Sequence, residues 1–174
     1  MLADMKYIET DLAYAAGFLD ADGCVTVSRC PMKTAVGFYS YRIGVLVSNK
    51  VPEVPTWLAE VFGGSVKLQL PSKSSLSRQK SFPPMYTWCL YNNKGADFLE
   101  LIAPYLKIKK QRAEAAIRLA RMQKRRGRTG PRLGVSKVIP IEELQQREEL
   151  AMEIRRANMR TSARIHQFAE QEFA

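Results

Sequence analysis

The chain has 174 residues, of which 46% are hydrophobic, and a formal net charge of +10 at pH 7. That length suits one domain with a sizeable core, and the composition excludes disorder as the default. No apolar run approaches the roughly 18 residues of a membrane span, and the start of the chain, with Asp4 and Glu9, lacks the basic and apolar regions of a signal peptide. An intracellular protein without a membrane partner is expected.

Cys24, Cys30 and Cys89 form no CxxC pair, and His166 is the single histidine, so neither a disulfide framework nor a zinc site is proposed. No organic cofactor signature is present. The positive charge is unevenly spread: Lys107 to Arg132 holds eleven Lys or Arg and one acid, Glu114. One-sided clustering of this kind fits a polyanion such as nucleic acid better than an ordinary solvated surface.

In chain order, Asp11 to Asp20 reads as a helix of about ten residues. Ala13, Ala16, Gly17 and Asp20 fall at i, i+3, i+4 and i+7, a stripe with almost no side-chain bulk. Cys24 to Met32 and Phe38 to Asn49 read as strands, because Ile43, Val45 and Val47 alternate with Arg42, Gly44, Leu46 and Ser48. Pro52 and Pro55 lead into a helix through Trp57 and Phe62, closed by Gly63-Gly64. Ser65 to Leu70 and Tyr86 to Asn92 suggest a second strand pair around a Ser-rich loop, Pro71 to Pro84, carrying Lys73, Arg78 and Lys80.

Asp97 can cap a helix ending near Pro104, and a further helix runs from Lys110 to Lys124. Pro140 suits the start of a last helix reaching towards Phe168. The order helix, two strands, helix, two strands, helices predicts an α+β domain with one four-stranded antiparallel sheet. The division expected is a core at 1–124 and a basic connector with a helical extension at 125–174.

Ala15-Ala16-Gly17-Phe18-Leu19-Asp20-Ala21-Asp22-Gly23 joins the small stripe to an acid pair. Small residues let two helix backbones approach closely. Such a helix ends in two carboxylates at its negative pole. Two such helices side by side would gather four carboxylates, each pair at 4 Å repelling by about 4 kcal/mol at an effective dielectric of 20. A bound Mg²⁺ would relieve that repulsion through hard oxygen ligands. Asp-Ala-Asp-Gly alone reads equally as a solvated turn; the nine residues together are far more specific.

These nine residues resemble the signature of the LAGLIDADG homing endonucleases, with Gly17, Asp20, Ala21, Asp22 and Gly23 matching outright and Ala15 replacing a leucine. Pro104-Tyr105-Leu106-Lys107-Ile108-Lys109-Lys110-Gln111 is similar to a second segment of the single-motif members. The resemblance implies a LAGLIDADG homing endonuclease-like fold and a Mg²⁺-dependent site-specific endonuclease that hydrolyses both strands of double-stranded DNA. It implies Mn²⁺ as a substitute and Ca²⁺ as an ion that binds without supporting cleavage. Asp22 and the Ala21 carbonyl would hold the metal, and Lys109 would stand near the scissile phosphate. Asn49 would organise water, Asp20 would brace the helix ends, and Lys50 is the candidate for a further basic residue, without a clean match to the family. One motif copy implies a homodimer joined through Ala13, Ala16, Gly17 and Asp20, with a long, nearly palindromic target.

A two-stranded ribbon fits the major groove. With Ile43, Val45 and Val47 inside, Ser40, Arg42, Gly44, Leu46 and Ser48 should face DNA, joined by Lys67 and Gln69. Thr26, Ser28, Tyr86 and Trp88 are further candidates, and Lys107 and Lys110 should grip phosphate. Alternatives on the same scaffold are an intron RNA maturase and a non-cleaving DNA-binding regulator. Arg (15) exceeds Lys (12) and Asn occurs four times, a composition that leans towards an archaeal or bacterial cytoplasm over an organelle.

Overall fold

The structure, a computed structural model, describes residues 7–31, 39–70, 83–124 and 139–172. The expected loop at Pro71 to Pro84 lies largely outside them, as do the basic connector after Lys124 and the division placed there. The elements run α1 (Glu9–Asp22), β1 (Gly23–Pro31), β2 (Tyr39–Asn49), α2 (Glu53–Phe62), β3 (Ser65–Gln69), β4 (Met85–Tyr91), α3 (Asn92–Ile102), α4 (Lys110–Lys124) and α5 (Ile141–Glu172). The four strands form one antiparallel sheet in the order β1-β2-β4-β3. The α+β architecture expected from the element order is the one observed.

One face of the sheet is packed under helices and the other is open. Register explains which residues fall where, since directly opposed residues of antiparallel strands share a face. Val25 opposes Val45, Val27 opposes Ile43, and Val47 opposes Trp88. These side chains are buried with Leu19 of α1, Leu58 of α2, Phe98 and Leu99 of α3 and Leu119 of α4. Phe98 lies edge-on between Phe62 and Trp88, both centroid distances being 5.0 Å. The Trp88 indole N–H donates to the Gly63 carbonyl at 2.7 Å. Gly63 and Gly64 have φ of 73° and 102°, the left-handed region where a side chain is strained, so this pair ends α2 and turns the chain into β3.

Trp88 therefore belongs to the core and not to the exposed face. Tyr86 follows it onto the helix side by strand alternation. The period-2 pattern of β4 is readable, but its phase is set by the Val47–Trp88 pairing, which the sequence does not display.

Asp97 does not start α3. The helix begins at Asn92, immediately after β4 and with φ of 52° at Asn92. Asp97 lies in mid-helix, where its carboxylate accepts a hydrogen bond from the Arg121 guanidinium of α4 at 2.6 Å.

The helix α5 packs on α4 and along β1. Ala151 and Ile154 are fully buried in the same core cluster as the sheet. Asn158 donates to the Val25 carbonyl at 3.0 Å and accepts from Arg112 at 2.9 Å. Nearer the other end of β1, Glu148 pairs with Arg29 at 3.1 Å and accepts a hydrogen bond from the Tyr41 hydroxyl. Because β1 is an edge strand, the Asn158 bond satisfies a backbone carbonyl that β2 does not reach. No helix among the described residues is long and apolar enough to cross a membrane.

Candidate active site and nucleic-acid interface

The site forms where α1 runs out. Ala15, Ala16 and Leu19 face the core, while Thr10, Ala13, Gly17 and Ala21 are exposed. At 100° per residue these four share one sector, so the open small-residue stripe is Thr10-Ala13-Gly17-Ala21. Ala16 is fully buried within the single chain, which removes it from the interface stripe expected from the sequence. A Cβ built on Gly17 meets nothing within 4 Å.

Asp20 is likewise committed inside the chain. Its Oδ2 accepts the backbone N–H groups of Lys107 at 2.7 Å and Ile108 at 3.0 Å, and its Oδ1 that of Lys109 at 2.9 Å. These are charge-assisted bonds, the stronger class. They fasten the turn between α3 and α4 to the end of α1.

Lys109 completes the junction. Its ammonium donates to the Leu19 carbonyl at 2.7 Å, the Asp20 carbonyl at 2.5 Å and, more weakly, the Ala21 carbonyl at 3.5 Å. The last carbonyls of a helix lack partners within it, and a cation there meets the negative pole of the dipole. Lys109 is 6% exposed. Burial, with Arg112 adding to it, lowers its pKa, while the charges of Asp20, Cys24 and Asp22 oppose that shift. The counter-charge that the acid pair requires is thus partly built into the chain. Burial raises the pKa of the neighbouring Cys24 thiol, against the pull of Lys109 and Arg112.

Asp22 differs from Asp20 in being exposed and making no hydrogen bond or ion pair among the described residues. Its carboxylate and the Ala21 carbonyl are hard oxygens of the kind Mg²⁺ takes. Among the described residues, no cluster of three or more His, Cys, Asp or Glu could hold a metal. Two such oxygens are fewer than a divalent cation takes, so the described residues of one chain do not make a complete metal site.

Gly23, the residue after Asp22, opposes Val47, so the end of β2 lies beside the acid site. Ser48 is on the open face and within 2.8 Å of the Thr87 hydroxyl. Asn49 falls on the alternate side, and its Oδ1 accepts the Val51 N–H at 3.1 Å, so that oxygen is already engaged. Lys50 is exposed just beyond it.

The open face gathers Thr26 and Ser28 of β1, Ser40, Arg42, Leu46 and Ser48 of β2, and Lys67 and Gln69 of β3. Thr87 and Tyr91 of β4 lie on the same side by register, Thr87 buried there against the Ser48 hydroxyl. Lys107 and Lys110 are exposed on either side of Lys109. An acid with a free carboxylate, a buried ammonium and flanking exposed cations thus stand at one end of a polar, partly basic sheet face.

No protein-family model matches the sequence, and no curated protein matches it. Among solved structures, the fold is that of the LAGLIDADG homing endonucleases. The chain is similar to an archaeal intron-encoded homing endonuclease, I-Vdi141I, complexed with DNA, with a TM-score of 0.64 at 18% identity over 86% of this chain and 84% of that one. It is similar to the homing endonuclease I-CvuI, in complex with the I-CreI target and 2 mM Mg with the DNA not cleaved, with a TM-score of 0.56 at 17% identity over 87% and 94% of the two chains. Against I-SmaMI, bound to an uncleaved DNA target with calcium ions, the TM-score is 0.53 at 16% identity over 80% of this chain but 43% of that one.

Proposed function

We propose that the chain is a homing endonuclease that acts as a homodimer on a long, nearly palindromic double-stranded DNA site, hydrolysing a phosphodiester in each strand. The observation that carries this reading is the exposed carboxylate of Asp22, without a hydrogen bond or ion pair among the described residues, next in sequence to the α1 carbonyls that hold the Lys109 ammonium, at the end of a sheet whose open face bears Arg42, Lys67 and Gln69. The fold neighbours with DNA bound support the choice of substrate. Dimerisation is supported by the exposed small-residue stripe of α1 and by the incomplete metal site at Asp22. It also agrees with the chain matching nearly all of I-CvuI but 43% of I-SmaMI.

Asp22 and the Ala21 carbonyl would hold the metal ion, Mg²⁺ or Mn²⁺. A bound divalent cation supplies Lewis acidity at phosphate and lowers the pKa of a coordinated water. Lys109 acts through space: fixed on the α1 carbonyls, its charge favours the negative charge that develops on phosphate in the transition state. Asp20 holds the turn that carries Lys109. Lys107 and Lys110 grip the backbone without selecting sequence. A reader of unpaired RNA bases uses exposed aromatic platforms. Here Trp88 is buried and the Tyr91 ring is covered by Arg42, which favours duplex DNA over a maturase reading.

The test is selection of cleaved duplexes from a random DNA library with Mg²⁺ present. The expected result is recovery of one family of related sites with two-fold symmetry. Recovery of no cleaved family would overturn the reading.

A further inference from the structure

We propose that Tyr91 is a specificity-positioning residue, holding the Arg42 guanidinium flat so that it offers two parallel N–H donors to a guanine in the major groove. This inference rests on the DNA-binding reading of the open sheet face.

Arg42 lies in β2, two residues before Gly44, and Gly44 opposes Tyr91 at the end of β4. The Arg42 guanidinium sits 3.8 Å from the centroid of the Tyr91 ring. Gly44 opens the path between them. A Cβ there would lie 2.9 Å from the Thr26 hydroxyl and 3.3 Å from both Leu46 and the Tyr91 ring. With no side chain at 44, ring and guanidinium meet across the diagonal of the strand pair. Tyr91 is itself well fixed, being the last residue of β4 and the residue that leads directly into α3.

A second stacked arginine gives the contrast. Arg29 sits 4.0 Å from the centroid of the Tyr39 ring, but its guanidinium is paired with Glu148 on the helix side. Arg42 is exposed on the open face and makes no ion pair or hydrogen bond among the described residues. Stacking uses the face of the guanidinium and leaves the N–H donors at its edge free. It also removes rotamer freedom that a solvated arginine would lose on binding. A planar fork of donors matches guanine, whose O6 and N7 are adjacent acceptors; adenine places a donor beside its N7.

The experiment is selection of bound duplexes from a random library by the full chain and its variants, with total affinity measured at one salt concentration. The intact chain should enrich guanine at the position Arg42 reads. Arg42→Ala and Tyr91→Leu should each reduce that preference about tenfold, with preferences elsewhere in the site retained. The double variant should be no worse than Arg42→Ala, and Tyr91→Phe, which keeps the ring, should match the intact chain. Tyr91→Met serves as the second ring deletion if the leucine variant does not fold.

Retained guanine preference without the ring would overturn the proposal. So would an Arg42→Ala profile equal to that of the intact chain, or a Phe variant as impaired as Leu. An intact chain that enriches no sequence would instead overturn the DNA-binding reading beneath it.

Discussion

Asp20 holds Lys109 twice: its carboxylate takes the Lys109 backbone N–H at 2.9 Å, and its own carbonyl accepts the Lys109 ammonium at 2.5 Å. The first acid of the motif is thereby used up within the chain, and the second, Asp22, is left available. Two aspartates separated by one residue thus have different chemistry, because only the first reaches the turn before α4.

Asp20→Ala removes a carboxylate that accepts three backbone N–H groups. Stability should fall by about 2 kcal/mol, read by urea denaturation. Single-turnover cleavage should fall as well, because the turn carrying Lys109 loses its anchor. Unchanged stability would show that these bonds are replaced by water at no net loss.

Asp22→Asn keeps the shape of the side chain and removes its charge. Cleavage of the cognate duplex should drop below detection, while binding of that duplex, measured without cleavage, persists. A variant cutting at the normal rate would remove the metal ligand assigned here and the nuclease reading with it.

Gly17→Leu is informative because the single chain has room for it: nothing lies within 4 Å of the added Cβ. The isolated fold should retain its unfolding midpoint at low protein concentration. Sedimentation should show loss of self-association, and cleavage should be lost with it. A stable, cleavage-competent monomer of the unmodified chain would sink the dimer proposal.

Trp88→Ala tests the assignment of sheet faces. Emptying a fully buried indole site should cost about 3–5 kcal/mol, while the base preference of the surviving folded fraction stays that of the unmodified chain. A changed preference at intact stability would return Trp88 to the exposed face.

Lys107→Ala with Lys110→Ala should weaken binding to all duplexes alike. Each lost phosphate contact flattens the plot of log affinity against log salt by about 0.9, so salt titration of the two forms measures how many contacts these residues make.

The element order was legible because each helix and strand carries its own periodicity and punctuation: Gly63-Gly64 after α2, alternation through Ile43, Val45 and Val47, Pro140 before α5. The acid motif was legible as a run of nine residues. What escaped depends on pairing between distant segments. Trp88 looks equally suited to either face until Val47 is placed against it. Ala16 and Gly17 are alike in bulk, and only the rotation of α1 about its own axis separates the buried one from the exposed one. The start of α3 was missed because Asn92 begins the helix directly from a strand, with no capping hydrogen bond from the residue before it. The engagement of Lys109 with α1 joins residues 88–90 positions apart, a separation over which local patterning carries no information.

The seating of α5 on β1 bears on how the chain is made. A ribosome adds roughly 5–20 residues per second, and Asn158, which bonds the Val25 carbonyl, lies 133 positions after it. During synthesis β1 emerges many seconds before its cover, with Val25 and Val27 exposed and the Val25 carbonyl without its Asn158 partner. The nascent chain is thus most open to strand-to-strand sticking before α5 leaves the exit tunnel. Slowed translation across α5 would lengthen that interval and lower the yield of soluble protein, with no change in the fold finally reached.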